Sequence, residues 1–184
     1  MKTEAEKMKL LLLAAEHRDW SVRIMEESSE KCVEYESWSP AGEDIVFAVH
    51  YEDAVDLCRK VRDYAQAFDA EEHVTDLIIA KRNGFTGVPD IKTLVEDADA
   101  IQGMLASLAD TLERMLDSSW YTVVDSQGAA KIIDNREPLG RFLHKDGGVF
   151  VGIDNSDGNA WTEEFKTEAE CLLWLAGEME VNAE

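Results

Sequence analysis

At 184 residues, with an apolar fraction of 45% and 31% charged residues, the chain has the length and composition of a folded protein with one sizeable core or two small ones, not of a disordered one. Its 39 Asp and Glu against 18 Lys and Arg leave a formal net charge of -21, spread along the chain, so nucleic acid and anionic membrane surfaces repel it and no direct DNA binding is expected. Cys32, Cys58 and Cys171 are widely spaced and form no Cys-x-x-Cys or Cys/His cluster, and the apolar run 10–15 is too short for a signal peptide or a membrane span; reduced thiols, no zinc and a cytoplasmic location are the expectation.

Met8, Leu11, Leu12 and Ala15 have helical spacing, with Glu4 and Glu6 where the helix dipole favours anions, which predicts a first helix over 3–17. Residues 20–26 and 32–38 read as strands, with Glu-Ser-Ser-Glu as the turn between them. Ser39-Pro40-Ala41-Gly42-Glu43 is a second turn, leading to a β-rich stretch over 45–49, so a three-stranded meander is expected. Helical periodicity returns with Ala54, Val55, Cys58, Val61, Ala65 and Phe68. A further helix over 70–82 places Val74, Leu77, Ile78 and Lys81 on one stripe, with Asn83-Gly84 as its left-handed end.

After the loop Phe85-Thr86-Gly87-Val88-Pro89, Asp90 is a good N-cap for the longest helix, over 90–117. Ile91, Leu94, Ala98, Ile101, Leu105, Leu108, Leu112 and Met115 alternate three and four apart, a coiled-coil seam of roughly 36 Å. Glu96, Gly103, Asp110 and Asp117 recur every seven residues on the opposite, solvated face. Two arrangements fit the seam and are compatible with each other: a central helix packed against the two helices before it, or a homodimer contact through Ile91, Leu94, Ile101, Leu105, Leu108 and Leu112.

The composition changes after Ser118-Ser119, so two modules are expected: an acidic α/β domain over 1–118 and a small ββα-type domain over 119–184. In the second, short β-like runs fall at 121–124, 141–144, 149–154 and 160–165. Asp146-Gly147-Gly148 and the segment 155–159 form hairpin loops, and a final helix is capped by Thr167 and Glu170. The fold class is α+β: an N-terminal helix, antiparallel strands and a helical section with one long helix, then a small sheet with one helix.

No catalytic constellation emerges. Asp154-Asn155-Ser156-Asp157-Gly158 resembles a calcium loop, but its first ligand position would be Ile153 and strands flank it, so it reads as a hairpin turn. His17, His50, His73 and His144 fall in separate elements. Glu72, His73 and Asp76 read as a solvated helix face, and no phosphate loop, nucleophile elbow or dinucleotide fingerprint appears. No cofactor, metal or catalytic residue is expected. The remaining candidates are carboxylates: Glu34 and Glu36 about 6.6 Å apart on one strand face, Asp53, Asp56 and Asp63 along one helix flank, and Asp69, Glu71, Glu72 and Asp76 on the next. Such rows either imitate phosphates for a basic nucleic-acid groove or are ordinary solvated faces.

Ser39-Pro40-Ala41-Gly42-Glu43-Asp44, Ala80-Lys81-Arg82-Asn83-Gly84, Gly87-Val88-Pro89 and Leu94-Val95-Glu96-Asp97-Ala98 resemble a recurrent family of short acidic proteins of bacteriophages and integrative elements, over roughly 39–112. Some acidic proteins of this size from such elements resemble inhibitors of type II CRISPR nucleases. The resemblance implies a counter-defence role in a bacterial host cell and carries over no functional residue. The expectation is a stoichiometric inhibitor of a basic nucleic-acid enzyme such as a Cas9–guide RNA complex. The alternatives are a structural or adaptor protein of a mobile element assembling through the heptad helix, and an enzyme of unrecognised type.

Overall fold

The computed structural model describes residues 2–27 and 30–179. Among them are six helices and two sheets in an α+β arrangement. Helix α1 (Glu4–Glu16) opens on a capping box in which Thr3 and Glu6 satisfy each other's orphan backbone groups. Strands β1 (Ser21–Glu27), β2 (Glu30–Trp38) and β3 (Asp44–Tyr51) form the antiparallel meander; the centre of the turn expected between β1 and β2 lies outside the described residues. The period of two along β2 and β3 sends Val33, Tyr35, Ile45, Phe47 and Val49 to one face, where they are buried. Trp20, Tyr35 and Phe47 pack edge-on and stacked there, and Tyr64 from the next helix stacks on Phe47 at 4.2 Å.

Helices α2 (Ala54–Ala67), α3 (Ala70–Arg82) and α4 (Ile91–Leu116) follow. The apolar seam of α4 is packed inside the chain: Leu94, Ile101, Leu105, Leu108 and Leu112 are buried against α1, α2 and α3, and Ile91 alone of the six is exposed. The arrangement is that of a central helix. Those five side chains are not available to a second copy without opening the core, since each burial contributes about 2 kcal/mol. Glu96, Gly103, Asp110 and Asp117 all face solvent. Arg62 of α2 forks onto α4, reaching Asp110 at 2.5 Å and Glu113 at 2.7 Å.

The second sheet comprises β4 (Thr122–Val124), β5 (Arg141–Asp146), β6 (Val149–Asp154) and β7 (Trp161–Phe165) in that order. It is mixed, because β4 pairs parallel to β5. A parallel pair needs a crossover, and α5 (Ser126–Asn135) supplies it; this helix was not expected, so the C-terminal part carries two helices rather than one. Helix α5 covers one face of the sheet with Ala129 and Ile132 on Phe142 and Ile153. Helix α6 (Glu168–Leu175), opened by the expected Thr167–Glu170 capping box, covers the other. Gly152 is required at that contact: a Cβ there would lie 2.8 Å from the Trp174 ring. Because α6 also packs on α1, the principal core runs from the meander through α1 and α4 into Leu143, Phe165 and Leu172, across position 118.

Candidate protein-binding face

Helix α3 and the first turns of α4 form a hairpin with its own small cluster, Val74, Leu94 and Ala98, set apart from the main core. Asp97 anchors its base. Although it lies on the buried side of α4, its carboxylate accepts the Ser39 hydroxyl at 2.7 Å and the Ala41 amide at 2.8 Å, tying the turn after β2 to the helix. Glu43 of the same turn meets His73 Nε2 at 3.1 Å, and Phe68 packs on the His73 ring. At the far end, the Lys81 ammonium donates to the carbonyls of Val88 and Pro89.

The four acids expected on α3 gather at its first turns. Asp69 is the N-cap and accepts the amides of Glu71 and Glu72 at 2.9 and 3.0 Å; Glu71, Glu72 and Asp76 are exposed. The N-terminal dipole stabilises this crowding. None of the four is in an ion pair with a described residue, so their charge is uncompensated.

The other candidate rows differ. On α2, Asp53 caps the helix through the Asp56 amide, while Asp56 accepts the Glu52 amide and pairs with Arg59. The Glu52 amide chiefly, with Arg59 beside it, holds the Asp56 carboxyl below its ordinary range. Asp63 is exposed and in no ion pair with a described residue; of the bases interleaved in the row, Arg59 is taken by Asp56 and Arg62 by Asp110 and Glu113 on α4. Glu34 and Glu36 do share the outer face of the meander, half-buried; Arg23 on the neighbouring strand reaches Glu34 at 3.4 Å. The three rows sit on three elements, and the α3 row is the one in which no member is ion-paired with a described residue: Glu34 and Asp56 are paired in the other two, while Glu36, Asp53 and Asp63 are not.

Exposed apolar side chains form a second feature; Trp38 and Phe85 are the apolar alternative to the acidic rows that the sequence offers, and Ile79 and Val95 are not visible there. At the tip of the hairpin, Ile79, Phe85, Ile91 and Val95 are open to solvent, Phe85 to 69%. Trp38, 62% exposed, ends β2 on the meander's outer face. Phe85 stands between Gly84 and Gly87 in a loop, a placement readable from sequence; Ile79 and Val95 simply fall off their helices' buried stripes.

The hairpin loop at 154–159 is closed on itself. Asp154 accepts the Ser156 amide and hydroxyl, Asp157 accepts from Asn159 and Trp161, and the buried Asn155 amide holds the carbonyls of Arg136 and Pro138 at 2.8 Å. Among the described residues no three His, Cys, Asp or Glu are grouped to hold a metal ion, and no helix is long and apolar enough to cross a membrane. No protein-family model, curated protein or solved structure matches the chain.

Proposed function

We propose that the protein acts by stoichiometric binding to a basic nucleic-acid-binding protein, with the first turns of α3 as the docking face and a Cas9-type nuclease loaded with guide RNA as the partner to test. The observation that carries this reading is the quartet Asp69, Glu71, Glu72 and Asp76, none of it ion-paired with a described residue, whereas each of the other candidate rows has one acid held by an arginine. Four carboxylates over the first two turns of one helix, Asp69 among them held as the N-cap, present a basic groove with the charge that phosphates would. The exposed apolar tip of the same hairpin, Phe85 and Ile91, supplies the desolvated contact that charge alone does not give. The overall acidity and the resemblance to acidic mobile-element proteins favour the same class.

The test is titration of the protein into a DNA-cleavage assay with guide-loaded nuclease. Inhibition saturating near one equivalent at low salt, and weakening steeply towards half-molar salt, is the expected result. Cleavage untouched at a large excess of protein in low salt contradicts this choice of partner.

A further inference from the structure

A second feature, independent of the α3 face, runs against the charge of the molecule. Between the start of α1, the end of α4 and the second sheet lies a cavity of about 500 Å³, within the range that holds small ligands. Three lysines line it, Lys2, Lys7 and Lys145, in a chain whose net charge is -21. Its apolar lining includes Leu116, Tyr121, Val123 and Phe150.

Two carboxylates also reach it, Glu168 in an ion pair and Glu6 held by neutral donors. Glu168 holds Lys2 at 2.8 Å. Glu6 accepts the Thr3 amide at 2.7 Å and the Thr3 hydroxyl at 2.9 Å, and that amide chiefly keeps its carboxyl below the ordinary range. Lys145 makes no close ion pair with a described carboxylate, although its charge adds to the lowering of the Glu6 carboxyl, and its ammonium sits 5.2 Å from the centre of the Phe150 ring. Lys7 meets Glu4 only at 3.9 Å, the loose end of ion-pair geometry. Two cations with spare donors therefore stand at the rim of an apolar hollow.

We propose that this cavity is a binding site for a small amphipathic acid, a molecule whose carbon chain or ring lies on Tyr121, Val123 and Phe150 while its carboxylate meets Lys7 and Lys145. Charge complementarity selects the anion, since a neutral molecule of the same shape gains only the apolar contact.

Decanoate, with decanol as its neutral counterpart, tests the assignment on the full chain by amide chemical-shift titration. Decanoate is expected to bind one-to-one, shifting the amides of Val123, Leu143, Lys145 and Phe150, with decanol about tenfold weaker. The double variant Lys7→Met, Lys145→Met keeps the aliphatic stems and is expected to bind both molecules alike. Three results overturn the proposal: shifts scattered away from the cavity, equal affinity for decanoate and decanol in the unaltered chain, or a preference for decanoate that survives the double change. The second needs no variant, so a double variant that fails to fold leaves the assignment decidable. An acidic peptide that shifts these amides where decanoate does not would overturn it as well.

Discussion

Asp97 lies between Leu94 and Ala98 on the buried side of α4, where a carboxylate is costly unless its oxygens are filled, and both are, by Ser39 and Ala41. Replacing it with Ala leaves the Ser39 O–H and the Ala41 amide without an acceptor, although the Ser39 oxygen still accepts the Glu43 amide, and is expected to lower stability by about 3 kcal/mol. Asp97→Asn, which keeps one acceptor, should lose less, and urea unfolding of the two variants checks the order. The buried thiols give a second expectation. Burial pushes Cys58 and Cys171 up from 9.0 to about 12, in both cases as the leading cause. The folded chain thus keeps protons that the unfolded chain releases above pH 9.0, and the stability these thiols contribute is fully present below that value and lost as pH rises towards 12. The urea midpoint should fall across that interval, and a disulfide reagent at about pH 8 should leave the native thiols unmodified until the chain unfolds. Rapid native labelling of Cys58 or Cys171 contradicts the burial.

At the scale of elements, α4 decides the architecture. Leu105 is buried within one chain and Gly103 is exposed, with nothing within 4 Å of where a Cβ would stand. Gly103→Ala is expected to stabilise the helix by about 1 kcal/mol, while Leu105→Glu buries an unpaired charge and should abolish cooperative unfolding. A dimeric unaltered chain together with a folded, monomeric Leu105→Glu chain would instead place the seam at a contact between copies. The three-and-four spacing of α4 was legible in sequence; what its seam packs against was not, because a stripe has the same period whether its cover is α1 and α2 or another chain. The meander, the hairpin loops and the caps at Asp90 and Thr167 were legible for a local reason, since turn and cap residues act on their own backbone. Helix α5 was not. Its buried residues Ala129 and Ile132 are mixed with Gln127, Gly128 and Lys131, too few to show a period, and its place follows from a parallel pairing that sequence does not display. The acidic rows were visible as types, yet which of them stays charged depends on where arginines reach. Arg59 neutralises Asp56 from the next turn, whereas Arg62 crosses from α2 to Asp110 and Glu113, a pairing fixed only by the packing of the two helices.

For the whole molecule, a net charge of -21 sets a repulsive background, and a docking face must stand out from it. At physiological ionic strength screening acts over about 8 Å, so remote carboxylates contribute little to a contact and a local cluster dominates it. The comparison that tests this most directly is between two fourfold neutralisations in the association kinetics of the chain with guide-loaded nuclease. One changes Asp69, Glu71, Glu72 and Asp76 to their amides; the other changes Asp63, Asp134, Glu137 and Asp146, which are exposed, in no ion pair with a described residue and on other elements. The first is expected to slow association by about tenfold or more with a smaller effect on dissociation, and to flatten the salt dependence, while the second leaves both nearly unchanged. Equal weakening by the two sets, or binding that survives loss of the α3 quartet at half-molar salt, would contradict a docking face on α3.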